Sequence, residues 1–204
     1  MMKLRASWSV FERWASGDHD DALRMSMGLP MRMMNENIRL AIEFGKETHE
    51  LIASKKLDPL GFIPKNAIYE KVEPDKKKYI NYYKVELSEW LIFSMIADVL
   101  YQLPNGTWAV VDWKTGRLNS TEQKKMQVYI YAYILSQLPE PITVSLGIIA
   151  KIEKDGQGLI YCPDYSMYKI NEDKLMLAEN YIDTVATEMY QELLNYKKRR
   201  NERP

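Results

Sequence analysis

Ile96-Ala97-Asp98-Val99-Leu100-Tyr101-Gln102-Leu103-Pro104-Asn105-Gly106-Thr107-Trp108-Ala109-Val110-Val111-Asp112-Trp113-Lys114-Thr115-Gly116 reads as two strands and the turn between them. Both flanks are rich in β-branched and aromatic residues, and Pro-Asn-Gly is a strong hairpin signal. Pro104 has φ fixed near −65°, which suits position i+1 of a type I turn. Gly106 can then take the left-handed conformation that closes a three-residue loop with a bulge. In that register Leu103 faces Thr107 and Asp98 faces Asp112. A two-residue loop would pair Asp98 with Trp113 and send the two acids to opposite faces. Proline is compatible with both turns, and the three-residue loop is the expected one.

With that loop the two aspartates are cross-strand neighbours, their Cβ atoms roughly 5 Å apart. Lys114 lies two residues past Asp112, on the same face. Two adjacent carboxylates repel, and one must stay protonated unless a cation sits between them. Lys114 can neutralise only one of them. A divalent ion held by both removes the conflict, and hard oxygen ligands suit Mg²⁺ or Mn²⁺. The competing reading is a surface Asp/Lys/Asp cluster on a solvated sheet. The expectation that Ile96, Leu100 and Val110 share that face weighs against it, because acids among apolar neighbours are costly.

Outward from the hairpin, Thr121–Gln137 is a helix apolar nearly all round, ended by Pro139 and Pro141, and so expected to be buried. Ile142–Ile152 and Leu159–Ile170 follow as strands joined at Lys154-Asp155-Gly156. A last helix runs from an Asn171 cap to Tyr196, with Leu175, Ala178, Ile182, Val185 and Met189 as its buried stripe. Upstream, Tyr79–Leu87 and Glu89–Leu103 are strands, and 57–78 is loop with a short strand. Arg32–Lys55 is a helix whose stripe is Ile38, Ile42, Gly45, His49 and Ile52. A short helix covers Ser9–Ala15, with a Met-rich helical turn after it. The order helix, strands, helix, strands, helix predicts an α/β fold with a mixed sheet. One domain over 1–204 is expected, with a core at about 32–170, an N-terminal helical segment at 1–31 and a C-terminal helix at 171–196.

The 204 residues carry 28 basic and 28 acidic side chains, so the formal net charge is zero. Nucleic acid must then be met by local patches. Lys76-Lys77-Lys78, Lys124-Lys125 and Lys197-Lys198-Arg199-Arg200 are the candidates, each also readable as a solvated face or tail. The single cysteine, Cys162, excludes an internal disulfide framework and a four-cysteine zinc or iron–sulfur site. Trp8, Glu12, Arg13 and Trp14 interrupt any apolar leader, and no stretch approaches a membrane span. The expected setting is a reducing, cytoplasmic one, in a cell or a phage-infected host.

Ile96-Ala97-Asp98-Val99, then Val110-Val111-Asp112-Trp113-Lys114-Thr115-Gly116, then Gln127 and Tyr131, with Gly45-Lys46-Glu47-Thr48-His49-Glu50 upstream, resembles the RecB-like branch of the PD-(D/E)xK nucleases. The resemblance runs in order over nearly half the chain. It implies a restriction-endonuclease-like αβββαβ core, with a mixed central sheet flanked by helices. It implies one or two Mg²⁺ or Mn²⁺ ions held by Asp98, Asp112, the backbone carbonyl of Trp113 and His49. On the residues alone, His49 reads equally as a core histidine. Lys114 would lie by the attacking water and the scissile phosphate. Gln127 and Tyr131 share a helix face and would touch the DNA backbone or Lys114. Glu86, on the preceding strand, is a weaker candidate.

Many relatives carry an iron–sulfur cluster, which one cysteine cannot bind, so none is expected. Many others are joined to helicase motors, for which 204 residues leave no room. Lys114-Thr115 is not a phosphate-binding loop, because Trp113 stands where that loop needs glycine. The expected function is a free-standing metal-dependent DNA nuclease, an exonuclease of recombination, repair or phage DNA processing. Its expected partners are DNA, single-stranded or with a free end, and a helicase or recombination protein. The alternative is a non-catalytic or partner-dependent nucleic-acid-binding subunit on the same fold.

Overall fold

A computed structural model describes residues 3–29, 36–70, 72–73, 78–79, 81–115 and 121–201. The chain runs β1 (Leu4–Ala6), α1 (Trp8–Ala15), α2 (His19–Ser26), α3 (Glu36–Lys55), β2 (Ile68–Tyr69), β3 (Val72–Glu73), β4 (Lys78–Tyr79), β5 (Tyr82–Glu86), β6 (Leu91–Ile96), β7 (Val99–Gln102), β8 (Trp108–Lys114), α4 (Thr121–Ser136), β9 (Val144–Lys154), β10 (Ile160–Lys169) and α5 (Glu172–Asn201). The central sheet has the order β10-β9-β8-β7-β2, and a smaller one has the order β1-β6-β5. β8 and β9 run parallel, and the other pairs of the central sheet are antiparallel. The mixed sheets with flanking helices are those expected. Among the described residues no helix is long and apolar enough to cross a membrane.

The hairpin closes through three residues. Leu103 N donates to Thr107 O at 2.7 Å, and Gly106 takes φ 85°. Val99 pairs with Val111 and Gln102 with Trp108, so one step further Asp98 stands opposite Asp112. Alternation then sorts the two faces. Leu100, Val110 and Ile149 pack with α4 and α5, while Val99, Val111, Trp113 and Ile148 pack with Ile52 and Ile63. α4 is buried nearly all round, as its sequence predicts. It also lies close to β9, because a Cβ at Gly147 would come within 2.7 Å of the Val128 side chain. That contact sets Gln127, one residue away, over the sheet. Asn171 Oδ1 accepts from Lys174 N at 3.2 Å and caps α5, whose stripe Ala178, Ile182, Val185 and Met189 is buried.

Three sequence expectations are corrected. Glu89–Leu103 is not one strand: it divides at Ala97-Asp98 between the two sheets. Ala97 N donates to Asn81 O at 3.1 Å, whereas Asp98 O accepts from Glu70 N at 2.7 Å. Buried Asn81 ties the junction by donating to Ile68 O at 3.0 Å. Leu91, Phe93, Met95 and Ala97 therefore face the same core as Leu100, the alternation slips at Asp98, and Ile96 does not share the Leu100 face. The α3 stripe also differs, because Ile42 is 47% exposed. The first turns of α3 line a cleft, and of the described residues of the expected stripe Ile52 is the one buried in the core. The Tyr79–Leu87 strand is likewise confined to β4 and β5. The side chain of Ile38, the whole of Lys76, Lys77 and Gly116, and the side chains of Lys197, Arg199 and Arg200 lie outside the described residues.

Candidate active site

The site grows from strand register. Tyr69 pairs with Val99 on one side of β7, and Val99 pairs with Val111 on the other. One step beyond these pairs, Glu70, Asp98 and Asp112 form a row across three neighbouring strands. The Glu70 N to Asp98 O bond extends the β2–β7 ladder to that row. Lys114 follows two residues past Asp112, at the end of β8. α3 passes over the row because Gly45 lets it approach: a Cβ there would lie 2.9 Å from Thr115 Oγ1. One turn later His49 reaches the acids, with Nδ1 3.3 Å from Asp98 Oδ1 and 4.0 Å from Glu70 Oε2.

Each acid has its own partners. Trp113 N donates to Asp98 Oδ2 at 2.6 Å. Gln127 Nε2 donates to Asp112 Oδ1 at 2.5 Å and to Tyr131 Oη at 3.1 Å, so the two residues of α4 act on Asp112 as a relay. Lys114 Nζ lies 2.8 Å from Asp112 Oδ2. The ammonium is the one partner of this buried oxygen among the described residues. Asp98, Asp112 and Gln127 are all less than a tenth exposed.

Crowded buried carboxylates should resist ionisation. Burial and then the charge of Asp98 raise Glu70 to about 8. Burial raises Asp112 to about 6, Lys114 opposing and Asp98 reinforcing. Burial alone would raise Asp98 too, but His49, Trp113 N–H and Lys114 together hold it below the usual range. Burial disfavours charge on His49, yet Asp98, Asp112 and Glu70 outweigh it and lift the imidazole to about 9. Burial likewise works against the Lys114 ammonium, and Asp112 and Asp98 overcome it, so its pKa is raised. Tyr131 is pushed well above its normal range by burial and by the two aspartates, and stays a phenol.

Ligand atoms of His49, Glu70 and Asp98 all lie within 4.8 Å of one another. Two carboxylates, which are hard oxygen donors, and a borderline imidazole make this a group that can hold a divalent metal ion, with Asp112 next to it and outside the group. His49, Lys114 and Gln127, but none of the three acids, line a cleft of about 450 Å³ between α1, α3 and α4, together with Trp8, Glu12, Lys46 and Lys124. A larger cavity of about 910 Å³, lined by Trp14, His19 and Glu188, holds none of these residues.

The structure thus brings together His49, Asp98, Asp112, Lys114, Gln127 and Tyr131. Trp113 contributes its amide, while its side chain is buried on the opposite face. Glu86 is not brought there. Val85 is the residue of β5 that points into the core, so Glu86 faces outward, exposed and paired with Lys3 at 2.9 Å. The upstream acid is Glu70, inside the 57–78 segment expected to be loop with a short strand. Its only local signal is the short Ala67-Ile68-Tyr69 run before it, and its place beside Asp98 depends on a pairing between distant segments.

No protein-family model matches the sequence, and no curated protein matches it. Among solved structures, the chain is similar to the alkaline exonuclease LHK-Exo from Laribacter hongkongensis, with TM-score 0.51 and 8% identity, over 97% of this chain and 94% of that one. Against LHK-Exo in complex with dAMP the TM-score is 0.53 at 9% identity, over 97% and 93% of the two chains. At such identities the likeness is one of fold, and the mixed α/β fold of this chain is that of an exonuclease.

Proposed function

We propose that residues 1–204 form one nuclease domain of the RecB-like PD-(D/E)xK type, which hydrolyses phosphodiester bonds of DNA from an end. The observation that carries this reading is the row Glu70, Asp98, Asp112 with Lys114 beside it. Four ionisable groups are gathered in a buried corner beside a cleft, an arrangement too costly for packing alone. LHK-Exo, which shares the fold, forms a complex with dAMP, and this supports DNA as the substrate here.

His49, Glu70, Asp98 and Asp112 would hold the ion, with the carbonyl of Trp113 as a further ligand. When bound, a divalent cation supplies Lewis acidity, which offsets phosphate charge and makes water a nucleophile at neutral pH. Lys114 is held as an ammonium, so it acts by charge: it orients the attacking water and neutralises an oxygen of the phosphate. Gln127 and Tyr131 fix Asp112 and hence Lys114. Lys46 and Lys124, on the cleft walls, meet neighbouring phosphates. The neutral net charge favours delivery of DNA by a partner such as a helicase, the second reading.

Digestion of labelled single- and double-stranded DNA, linear and covalently circular, in Mg²⁺, Mn²⁺ or EDTA separates these readings. The expected result is metal-dependent loss of linear DNA with circles intact. Cleavage of circles would reject the exonuclease assignment. No cleavage by folded protein would leave the partner-dependent or binding-only subunit.

A further inference from the structure

Glu70 enters the row just past a strand only two residues long, which lies at the edge of the central sheet. Two register pairs, Ile68–Leu100 and Tyr69–Val99, join that strand to β7. An edge element with so few pairs opens easily by itself. An ion also needs Glu70 and Asp98 both deprotonated, and like charges side by side push apart. The spacing of the two acids therefore depends on what else holds β2.

Asn81 belongs by its main chain to the smaller sheet. Tyr82 pairs with Ile96, and one step further along that ladder Ala97 N donates to Asn81 O at 3.1 Å. Its side chain reaches the other sheet, where Nδ2 donates to Ile68 O at 3.0 Å. Ala97 directly precedes Asp98, and Ile68 stands two residues before Glu70. The bond from Glu70 N to Asp98 O, at 2.7 Å, closes the ring. Hydrogen bonds thus join Asn81, β2 and the Ala97-Asp98 crossing in a closed loop that carries both acids. Asn81 is 1% exposed, so its amide is shielded from competing water. An apolar side chain could fill the same space, but it has no N–H to give to Ile68 O.

We propose that Asn81 is a positioning residue of the candidate metal site. By clamping β2 to the Ala97-Asp98 crossing, it holds the Glu70 carboxylate within reach of an ion bound by Asp98 and His49. It touches neither ion nor substrate and acts through Glu70. This rests on the nuclease reading and adds to it the residue that sets the spacing of two ligands. The competing role for a buried amide is to satisfy a buried carbonyl, which bears on stability alone.

The test is a double-mutant cycle on Mn²⁺ affinity, read by calorimetric titration of the full chain, with amide NMR spectra of the metal-free protein beside it. Asn81→Ala is expected to weaken Mn²⁺ binding by about tenfold in the wild-type background. In the Glu70→Gln background the same change should cost less than about twofold, because the ligand it positions is gone. In EDTA, Asn81→Ala should move the Glu70 amide proton upfield, the sense of a weakened bond to Asp98 O, and leave the α5 amides in place. Equal losses of affinity in the two backgrounds would overturn the proposal, as would no loss in either. An unmoved Glu70 amide would overturn it too. Asn81→Ser, which leaves a smaller void, takes the place of the alanine variant if that one does not fold. If neither folds, Asn81 serves folding and the proposal falls. Absence of Mn²⁺ binding by folded wild-type protein would instead remove the nuclease reading, and the Glu70 amide would then decide the clamp alone.

Discussion

Lys114→Ala is expected to lower the single-turnover rate of DNA cleavage by about 10²–10³-fold, the usual cost of losing one pre-placed charge-stabilising donor. The ammonium sits 2.8 Å from Asp112 and is raised in pKa by Asp112 and Asp98, so it is a fixed charge at neutral pH. Removing it should leave metal affinity intact or improved, because Asp112 then has one competitor fewer. The loss should therefore appear in the rate and not in the metal concentration giving half-maximal activity. A variant that recovers full rate at high Mg²⁺ would show that Lys114 serves the ion and not the phosphate. Lys114→Arg should remain impaired, since a planar, forked guanidinium does not reproduce a point charge.

Stability of the metal-free protein should fall as pH rises from about 5 to 9. Glu70 and Asp112 have folded values of about 8 and about 6, above their unfolded values, so the folded chain keeps protons that the unfolded chain has released. His49, lifted to about 9, contributes stability that is complete below its unfolded value near 6.5 and is lost as pH passes 9. In all three cases the native state binds more protons, and the linkage slope is negative throughout the window. The groups share one field and their shifts do not add. A loss of about 2 kcal/mol is a reasonable scale, or roughly 4–8 °C in Tm for a chain of this length. Mg²⁺ or Mn²⁺ should reverse the trend, adding more to Tm at pH 8 than at pH 6, because only the deprotonated ligands bind it. Thermal melts across pH in EDTA and in Mn²⁺ read this directly. A flat EDTA curve would mean that the three groups do not share one buried field.

The hairpin was legible because Pro104-Asn105-Gly106 encodes its own geometry, and that turn alone aligns Asp98 with Asp112. The all-round apolar character of α4 and the stripe of α5 were legible for the same reason, as local periodicity states burial. Glu70 was not, because it enters the site through a two-residue strand whose pairing with β7 is decided by the whole fold. The break at Ala97-Asp98 was hidden by an unbroken run of strand-forming residues, and only the competition of β5 and β2 for that segment reveals it. Glu86 looked plausible on a strand, yet one step of alternation sends it to solvent. His49 was placed by its stripe, but the same stripe put Ile42 in the core, since periodicity gives a face and does not tell a cleft from a core.

Calorimetric titration with Mn²⁺ tests most directly whether Glu70, Asp98, Asp112 and His49 form one cation site. Wild-type protein should bind Mn²⁺, Glu70→Gln and His49→Ala should each weaken binding by at least about tenfold, and Glu86→Gln should bind as wild type does. Absence of binding by folded wild-type protein, or a loss with Glu86→Gln equal to that with Glu70→Gln, would contradict it.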